Sequence, residues 1–233
     1  IYGVGGGITW DSTWESEYRE VHQKAAVLYR KQPRFQLITT GKISQKKLLF
    51  EKQHLERLQK ASRYFAFPFD QEVLKQKIEK EYQSCGVHQD YRIRISLSKS
   101  GEIEIERQVL TTLSSSFCQA KLCQQEADLE QAFTYFKTTH RPHLTVGEQE
   151  IIYHTADGKL LETSIGNLVL KMNSKLYTPP SSLGILPGIY RQHLLESGQV
   201  EEKVLSVEDL KEAEVIYACN AVRGLYELSV REN

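Results

Sequence analysis

The stretch Tyr135-Phe136-Lys137-Thr138-Thr139-His140-Arg141 places one lysine after two aromatic residues and before a run of hydroxyl, imidazole and guanidinium groups. In a partly apolar pocket the charged form of a lysine loses solvation, so its pKa falls and its amine becomes available for Schiff-base chemistry. Most lysines beside aromatic residues are nevertheless solvated surface groups. The catalytic interpretation of Lys137 therefore depends on the rest of the chain.

The composition bounds the class of protein. A chain of 233 residues with 40% hydrophobic content can bury a core, either as one domain of two lobes or as one domain with an appendage. Its 30 basic and 30 acidic residues balance, so we expect no nucleic-acid or membrane partner, and any anionic ligand must be held by a local site. The cysteines lack metal-ligand spacing, which predicts reduced thiols, no metal site and a cytoplasmic location. They are Cys85, Cys118, Cys123 and Cys219.

The first 33 residues form a segment of their own. Residues 3–9 are rich in glycine and are predicted to form a strand, after which residues 11–13 cap a helix from about Trp14 to Arg30. Glu17, Glu20 and Lys24 share one face of that helix, although a glycine loop before a solvated helix explains the same pattern. Lys31 to Arg34 is a polar linker that contains a proline. Because the chain starts within a glycine-rich element, we expect it to be a fragment of a longer polypeptide.

The next part of the chain predicts a first α+β lobe, from apolar periodicity and turn residues. The predicted elements are a strand at 35–40, a turn at 41–47, a short strand at 48–50, helices at 51–66 and 71–84, and a hairpin of 91–97 with 103–106. His54 and Arg57 stand one helical turn apart and can face a common site, although such pairs more commonly lie on the surface.

The remainder predicts a second lobe. Its elements are a strand at 114–123, a turn at 128–132, strands at 150–154 and 160–169 joined by a turn at 157–158, an edge strand at 176–180, helices opening at 184–191 and covering 207–212, and a strand at 215–219 followed by a turn. Glu162 lies among apolar and small residues, where an unpaired carboxylate is costly. The glycine and proline at 184–191 indicate either an anion cradle of free NH groups or an ordinary proline-started helix.

Six blocks of this sequence, taken together and in order, resemble aminodeoxychorismate lyase, a fold-type IV pyridoxal-phosphate enzyme related to branched-chain and D-amino-acid aminotransferases. The blocks are Phe35 to Thr40, His54 to Leu58, Lys137 to Arg141, Leu161 to Leu168, Gly184 to Arg191 and Cys219 to Gly224. The resemblance implies a two-lobed α+β fold, with a small lobe at 34–125 and a larger cofactor-binding lobe at 126–233. Residues 1–33 would precede both lobes.

The first segment resembles the C-terminal end of the chorismate-binding synthases. Its residues 3–12, followed by Glu17, Glu20 and Lys24, carry that resemblance over about 30 residues. In that family the glutamate pair holds magnesium, but a segment this short predicts a remnant and not a chorismate site. Aminodeoxychorismate synthase makes the substrate of the lyase, so a fusion of the two is the implied arrangement.

The lyase resemblance assigns roles residue by residue. Lys137 matches the lysine that binds pyridoxal 5'-phosphate covalently, and Glu162 matches the carboxylate that keeps the ring nitrogen protonated. Arg57 matches the arginine that pairs with the cofactor phosphate. The remaining matches, around the phosphate, are Gly188, Ile189, Tyr190, Asn220 and Ala221. On the substrate side we expect Thr39, Thr40 and Arg223.

The implied reaction converts 4-amino-4-deoxychorismate to 4-aminobenzoate and pyruvate in folate biosynthesis, in a homodimer. Lys137 would remove the C4 proton of the substrate and then supply the proton that completes pyruvate. Two alternatives stay open: an aminotransferase of branched-chain or D-amino acids, and a non-catalytic module that dimerises or stabilises the synthase.

The sequence departs from the family pattern at three places. His140 stands where asparagine or arginine is usual, and Ala221 stands where many relatives have serine or threonine. The helix expected between Lys137 and Glu162 is replaced by a segment that contains Pro142 and Gly147. A partner subunit, the N-terminal helix or nothing at all would then cover that face.

Overall fold

The computed structural model describes residues 3–29, 33–113, 118–125 and 131–230. The chain divides into two compact units, Ile1–Arg34 and Phe35–Asn233. In the described parts of the chain, no helix has the length and apolar character needed to span a bilayer.

The first unit is built on helix α1 (Trp14–Tyr29), which confirms the predicted helix as far as Tyr29, while Arg30 lies outside the described residues. Thr13 begins the helix, since its hydroxyl accepts the Ser16 NH at 3.3 Å. Lys24 donates to Glu20 at 2.5 Å and to the Gly5 carbonyl at 3.1 Å. The predicted strand at 3–9 is wrong, because no strand in the described part of this unit is available to pair with it.

The second unit mixes helices and strands, so the predicted α+β class is confirmed. Its described helices are α2 (Glu51–Phe65), α3 (Gln71–Ser84), α4 (Gln131–Tyr135), α5 (Ile189–Glu196) and α6 (Val207–Glu212). Its described strands are β1 (Leu37–Ser44), β2 (Lys47–Leu48), β3 (Tyr91–Leu97), β4 (Ile103–Val109), β5 (Gln119–Gln124), β6 (Glu150–His154), β7 (Leu160–Thr163), β8 (Asn167–Met172), β9 (Lys175–Thr178), β10 (Glu201–Glu202), β11 (Val215–Asn220) and β12 (Gly224–Val230).

Strands β1 to β4 form an antiparallel sheet in the order β2-β1-β3-β4. Side chains alternate along β3, so Ile93 and Ile95 are buried in the core with residues of α2 and α3, while Arg92 and Arg94 lie on the opposite face. Thr40 pairs with Arg94 in the register of β1 and β3. This sheet therefore presents a polar face with two arginines away from its core.

Strands β5 to β12 form an eight-stranded sheet in the order β10-β9-β8-β11-β12-β5-β6-β7. Strand β7 also pairs with β8, through Glu162 and Asn167, so the strands from β8 to β7 close into a ring. Leu160, Leu168 and Leu170 are fully buried in its core. Glu162 thus lies at the pair that closes the ring.

The turn predicted at 41–47 does not begin at Gly41, because β1 continues to Ser44. A Cβ at Gly41 would lie 2.5 Å from Nε2 of His54, so the glycine is needed for the close approach of α2. The turn is formed by Gln45 and Lys46, both with positive φ. The short strand predicted at 48–50 is instead Lys47–Leu48.

One prediction in the second sheet is wrong. Strand β9 is not an edge strand, because β10 pairs with it in parallel. The turn predicted after β11 is present at residues 221–223, but strand β12 that follows it was not predicted, although Tyr226 and Leu228 alternate as buried residues along it.

Other predictions fall partly outside the described residues. Of the strand at 114–123, residues 114–117 are not described, and the strand is Gln119–Gln124. Of the turn at 128–132, residues 128–130 are not described, and α4 begins at Gln131. Strand β5 belongs to the eight-stranded sheet, whereas the predicted division at 125/126 would assign it to the first lobe, and that division stays a prediction.

Candidate active site

A cavity of about 820 Å³ in the second unit is lined by residues of both sheets. Most of the residues predicted for the site line it, although they are spread over the chain from β1 to the turn before β12. Those that line the cavity are Thr40, Arg57, Lys137, Glu162, Gly188, Ile189, Asn220, Ala221 and Arg223. Thr39 and Tyr190 are not among the lining residues.

Positive charge dominates the cavity. Among the described lining residues, Glu162 is the only carboxylate. The same lining contains six basic residues: Arg57, Arg92, Arg94, Lys137, Arg141 and Arg223. A chain with no net charge therefore holds a strongly cationic cavity, which suits a ligand with several negative charges.

Lys137 follows α4, and its carbonyl accepts the NH of Ile38 at 2.9 Å. Burial lowers the pKa of Lys137 to about 7, and the neighbouring charges of Arg57 and Arg141 act in the same direction. Near neutral pH a substantial fraction of this amine is therefore uncharged and able to act as a nucleophile or a base.

The segment after Lys137 has no helix before β7, as predicted. It is tied instead to the start of β1, since Thr139 donates to the Gln36 carbonyl at 2.9 Å and accepts the Gln36 NH at 2.9 Å. The Thr138 hydroxyl donates to the His140 carbonyl at 2.9 Å, and the His140 ring packs edge-on against Phe133. Backbone pairing with β1 thus fixes the position of Lys137 and of the residues after it.

Glu162 is 3% exposed on β7. Its Oε1 accepts hydrogen bonds from Arg141 Nη2 at 3.0 Å and from the Leu186 NH at 3.3 Å. Burial raises the pKa of Glu162, and Arg141 is the neighbour that most opposes this rise.

The start of α5 offers backbone donors to the cavity. The first intrahelical bond runs from the Gln192 NH to the Gly188 carbonyl, so the NH groups of Ile189 and Tyr190 have no intrahelical acceptor. A Cβ at Gly188 would lie 1.9 Å from Oδ1 of Asn167, so this position has no room for a side chain. Such a helix start is an anion-binding element.

The side chain of Arg57 on α2 contacts the loop just before the start of α5. Its Nη2 donates to the Pro187 carbonyl at 2.6 Å, one residue before the α5 cap. Burial and the charge of Arg141 lower the pKa of Arg57 to about 10, which leaves it charged at neutral pH. The Arg57 guanidinium and the start of α5, whose first NH groups have no intrahelical acceptor, therefore lie at one end of the cavity.

The turn between β11 and β12 is held by Asn220, whose Oδ1 accepts the NH groups of Val222 at 3.0 Å and Arg223 at 2.9 Å. These two NH groups are thus bonded within the turn. The Arg223 guanidinium donates to the Thr111 carbonyl.

Thr39 is buried on the core face of β1, where its hydroxyl lies 2.6 Å from Nδ1 of His54. Burial lowers the pKa of His54 to about 3, so this histidine is neutral. Adjacent strand residues face opposite sides, so Thr40 reaches the cavity and Thr39 does not. The Tyr190 ring contacts His193 and Phe50.

Three basic residues of the cavity were not predicted to belong to the site. Arg92 and Arg94 alternate with Ile93 and Ile95, which is a sequence signal for two arginines on one face of a strand. Arg141 ends the stretch that contains Lys137, but its pairing with Glu162 has no local sequence signal.

Comparisons with known proteins agree on one family. A family profile described as "Amino-transferase class IV" matches residues 36–229. An uncharacterised protein of Haemophilus influenzae is 38% identical over 69 residues, 30% of this chain and 36% of that protein. A Schizosaccharomyces pombe protein, provisionally named aminodeoxychorismate lyase, is 22% identical over 185 residues, 73% of this chain and 79% of that protein. Branched-chain-amino-acid aminotransferase 1 of Arabidopsis thaliana is 35% identical over 86 residues, 34% of this chain and 22% of that protein.

The chain thus spans about a third of the length of the Haemophilus relative.

Solved structures share the fold of this chain. One from Thermotoga maritima, provisionally described as a branched-chain amino acid aminotransferase, has a TM-score of 0.74 at 20% identity and covers 94% of this chain and 81% of its own. The pyridoxal-phosphate-bound form of a hypothetical aminotransferase from Mycobacterium tuberculosis has a TM-score of 0.69 at 16% identity, covering 88% of this chain and 83% of its own. The predicted fold-type IV architecture is confirmed.

Proposed function

The chain belongs to the amino-transferase class IV family, and on that premise we propose that it is a pyridoxal-phosphate-dependent lyase that converts 4-amino-4-deoxychorismate to 4-aminobenzoate and pyruvate. One observation carries the proposal: an amine with a pKa of about 7, Lys137, shares a cavity with a buried carboxylate and an anion-binding helix start. The product 4-aminobenzoate would serve folate biosynthesis.

The residues of the cavity fit pyridoxal 5'-phosphate. Arg57 and the NH groups of Ile189 and Tyr190 would hold the phosphate, beside a glycine at 188 that leaves no room for a side chain. Asn220 and Ala221 would close the same end of the cavity. Lys137 would bind the cofactor covalently, and Glu162 would hold its ring nitrogen.

When bound, pyridoxal phosphate draws electrons from the carbon that carries the substrate amine, so that this carbon loses a proton more readily. Lys137, as a neutral amine, would remove the C4 proton of the substrate. The electron pair of the C4–H bond would form the new C3–C4 double bond as the C3–O bond breaks, so that the ring becomes aromatic and enolpyruvate leaves. Lys137, then an ammonium group, would return its proton to the methylene carbon of enolpyruvate and complete pyruvate, so the atoms of the substrate are conserved in the two products.

The charge of the cavity supports a substrate with more than one carboxylate. The cofactor phosphate would pair with Arg57, which leaves Arg92, Arg94 and Arg223 for other anions. Thr40 lies beside Arg94 in the strand register, so these groups form the proposed substrate side. The substrate 4-amino-4-deoxychorismate carries two carboxylates, and the Schizosaccharomyces relative bears the lyase name.

An aminotransferase of branched-chain or D-amino acids is the second candidate. The 35% identity to the Arabidopsis aminotransferase over 86 residues favours it. Against it, the residues after Lys137 are Thr-Thr-His-Arg and not small glycine-rich residues. The third candidate, a non-catalytic module of the synthase, predicts that the cavity binds no cofactor.

Absorbance separates the enzymes from the non-catalytic module. After incubation with pyridoxal phosphate we expect a band on the order of 410 to 430 nm from the lysine-bound cofactor, and its loss in Lys137→Ala. Lys99→Ala, an exposed lysine away from the cavity, is the matched control and should keep the band. Absence of the band in the parent chain would sink both enzyme proposals.

A product assay then separates the lyase from the aminotransferase. The parent protein with bound cofactor is supplied with 4-amino-4-deoxychorismate, and equal amounts of 4-aminobenzoate and pyruvate are the expected products. Amino-group transfer from branched-chain or D-amino acids to a 2-oxo acid, without 4-aminobenzoate formation, would replace the lyase by the aminotransferase.

The remaining parts of the proposal concern the whole protein. We propose a cytoplasmic homodimer that is fused to, or associates with, synthase component I. The three-part division at residues 33/34 and 125/126 is proposed with it. Light scattering of the purified chain at about twice the monomer mass would support the dimer, and the monomer mass would contradict it.

A further inference from the structure

Burial disfavours the charged form of Glu162 and raises its pKa. It is buried on β7 and is the only carboxylate among the described residues of the cavity lining. A carboxylate in such a place needs a partner, because otherwise it takes up a proton and becomes neutral. The role proposed for Glu162 at the cofactor ring requires the charged form, so this inference rests on the proposed function.

Arg141 supplies the partner. Its Nη2 lies 3.0 Å from Oε1 of Glu162, and the two side chains are 14% and 4% exposed. Water and salt therefore screen this pair little. The Leu186 NH, at 3.3 Å from the same oxygen, adds a neutral donor but no countercharge.

Three charged groups act on Glu162, from two places in the fold: Arg141 and Lys137 on the segment after α4, and Arg57 on α2. Among them Arg141 most strongly opposes the rise of the Glu162 pKa that burial causes. Arg141 also lowers the pKa of Lys137. One guanidinium thus favours a charged Glu162 and a neutral Lys137 together.

The hydrogen bonds of the Arg141 side chain differ from those of an arginine that serves only stability. Its Nε is buried and has no hydrogen-bond partner in the described part of the chain, whereas an arginine that serves only stability usually satisfies its donors. Its backbone is nevertheless fixed, since its carbonyl accepts the Leu144 NH at 3.1 Å.

We propose that Arg141 is a positioning residue that holds Glu162 as a carboxylate in the cavity, so that Glu162 can pair with the ring nitrogen of the cofactor. Arg141 acts through Glu162 and takes no part in bond making or breaking. The conservative variant Arg141→Lys keeps the charge and should retain much of this effect, while Arg141→Gln should lose it.

Infrared spectroscopy of the cofactor-free protein at pH 7 tests the proposal without any catalysis. We expect Arg141→Gln to show the band of a protonated buried carboxyl that the parent lacks, and the double variant Arg141→Gln/Glu162→Gln to lose that band again. Arg63→Gln, on the exposed side of α2, is the matched control and should match the parent. A folded Arg141→Gln protein without the band would overturn the proposal, and this result stands whether or not the cofactor binds.

Kinetics of the loaded protein give the second measurement. For Arg141→Gln we expect kcat to fall about tenfold or more, with KM little changed. The double variant should be no slower than Glu162→Gln alone. A raised KM with unchanged kcat would instead make Arg141 a substrate contact, and a lower melting temperature with unchanged kcat would make it a structural residue. Either outcome overturns the proposal.

Discussion

The amine of Lys137 has a pKa of about 7, so near neutral pH both its charged and its neutral form are present. Burial and neighbouring arginines cause this shift, so it belongs to the folded state alone. Between pH 7 and 10.5 the unfolded chain holds a proton that the folded chain has lost. The cofactor-free protein should therefore gain stability as the pH rises through that window.

The rate at which Lys137 captures pyridoxal phosphate should follow its neutral fraction. Between pH 6 and 8 we expect a rise of about tenfold, followed by a plateau. Stopped-flow absorbance of the cofactor-free protein measures the rate, with Lys137→Ala as the background. A rate that keeps rising to pH 10 would mean an ordinary, solvated lysine.

Thr39 and Thr40 are neighbours in sequence but lie on opposite faces of β1. Thr39→Val should lower the free energy of unfolding by about 1 to 3 kcal/mol, because the bond to His54 at 2.6 Å is lost, and should leave KM unchanged. Thr40→Val is the matched variant and should raise KM with little effect on stability. Denaturant unfolding and steady-state kinetics measure both, and the reverse pattern would contradict the assignment.

At the scale of elements, the site depends on where helices and strands begin and end. The ring of strands closes at Glu162 and Asn167, and Asn167 Nδ2 donates to the Leu186 carbonyl at 2.8 Å. The ring closure is thereby linked to the loop that leads into α5. The geometry of the proposed phosphate end of the cavity thus depends on the pairing of β7 with β8.

Gly188→Ala should disturb this link. The new Cβ would lie 1.9 Å from Oδ1 of the buried Asn167, so the start of α5 must shift, at a cost of about 1 to 3 kcal/mol. We expect weaker binding of pyridoxal phosphate, measured by calorimetry, in a protein that still folds. Gly147→Ala, which meets only open space, is the control. Unchanged affinity in Gly188→Ala would remove the α5 start from the phosphate site.

At the scale of the whole molecule, every residue of the cavity lining lies between Ile38 and Arg223, within the second compact unit. The first unit has its own hydrogen bonds, such as the pair of Lys24 with Glu20. In the described residues no group of three or more His, Cys, Asp or Glu side chains is arranged to hold a metal ion.

A chain that begins at Phe35 should therefore bind pyridoxal phosphate with the affinity of the full chain. Titration followed by absorbance compares the two proteins, and circular dichroism checks that the shorter one folds. Loss of binding in a folded 35–233 protein would show that the first unit contributes to the site. That result would agree with the expectation that the N-terminal helix covers the face left open by the missing helix after Lys137.

Local patterns in the sequence predicted a large part of the fold. Helices α2, α3 and α6 and the β3–β4 hairpin follow from apolar periodicity and turn residues, since these signals act over a few residues. The sites at Lys137, Glu162 and Arg57 were predicted from a resemblance spread over six blocks. Strand β12 carried a readable alternation that was missed.

By itself, the sequence determined which chemical groups are present, their order and most of the elements that carry them. Tertiary structure alone decided that Arg141 meets Glu162, that Thr40 and not Thr39 reaches the cavity, and that six basic residues line one cavity with a single carboxylate among its described lining residues. The physical reason is that burial and charge act through space. The pKa of Lys137 and the protonation state of Glu162 depend on neighbours that are distant in the chain and come close only when the two sheets fold.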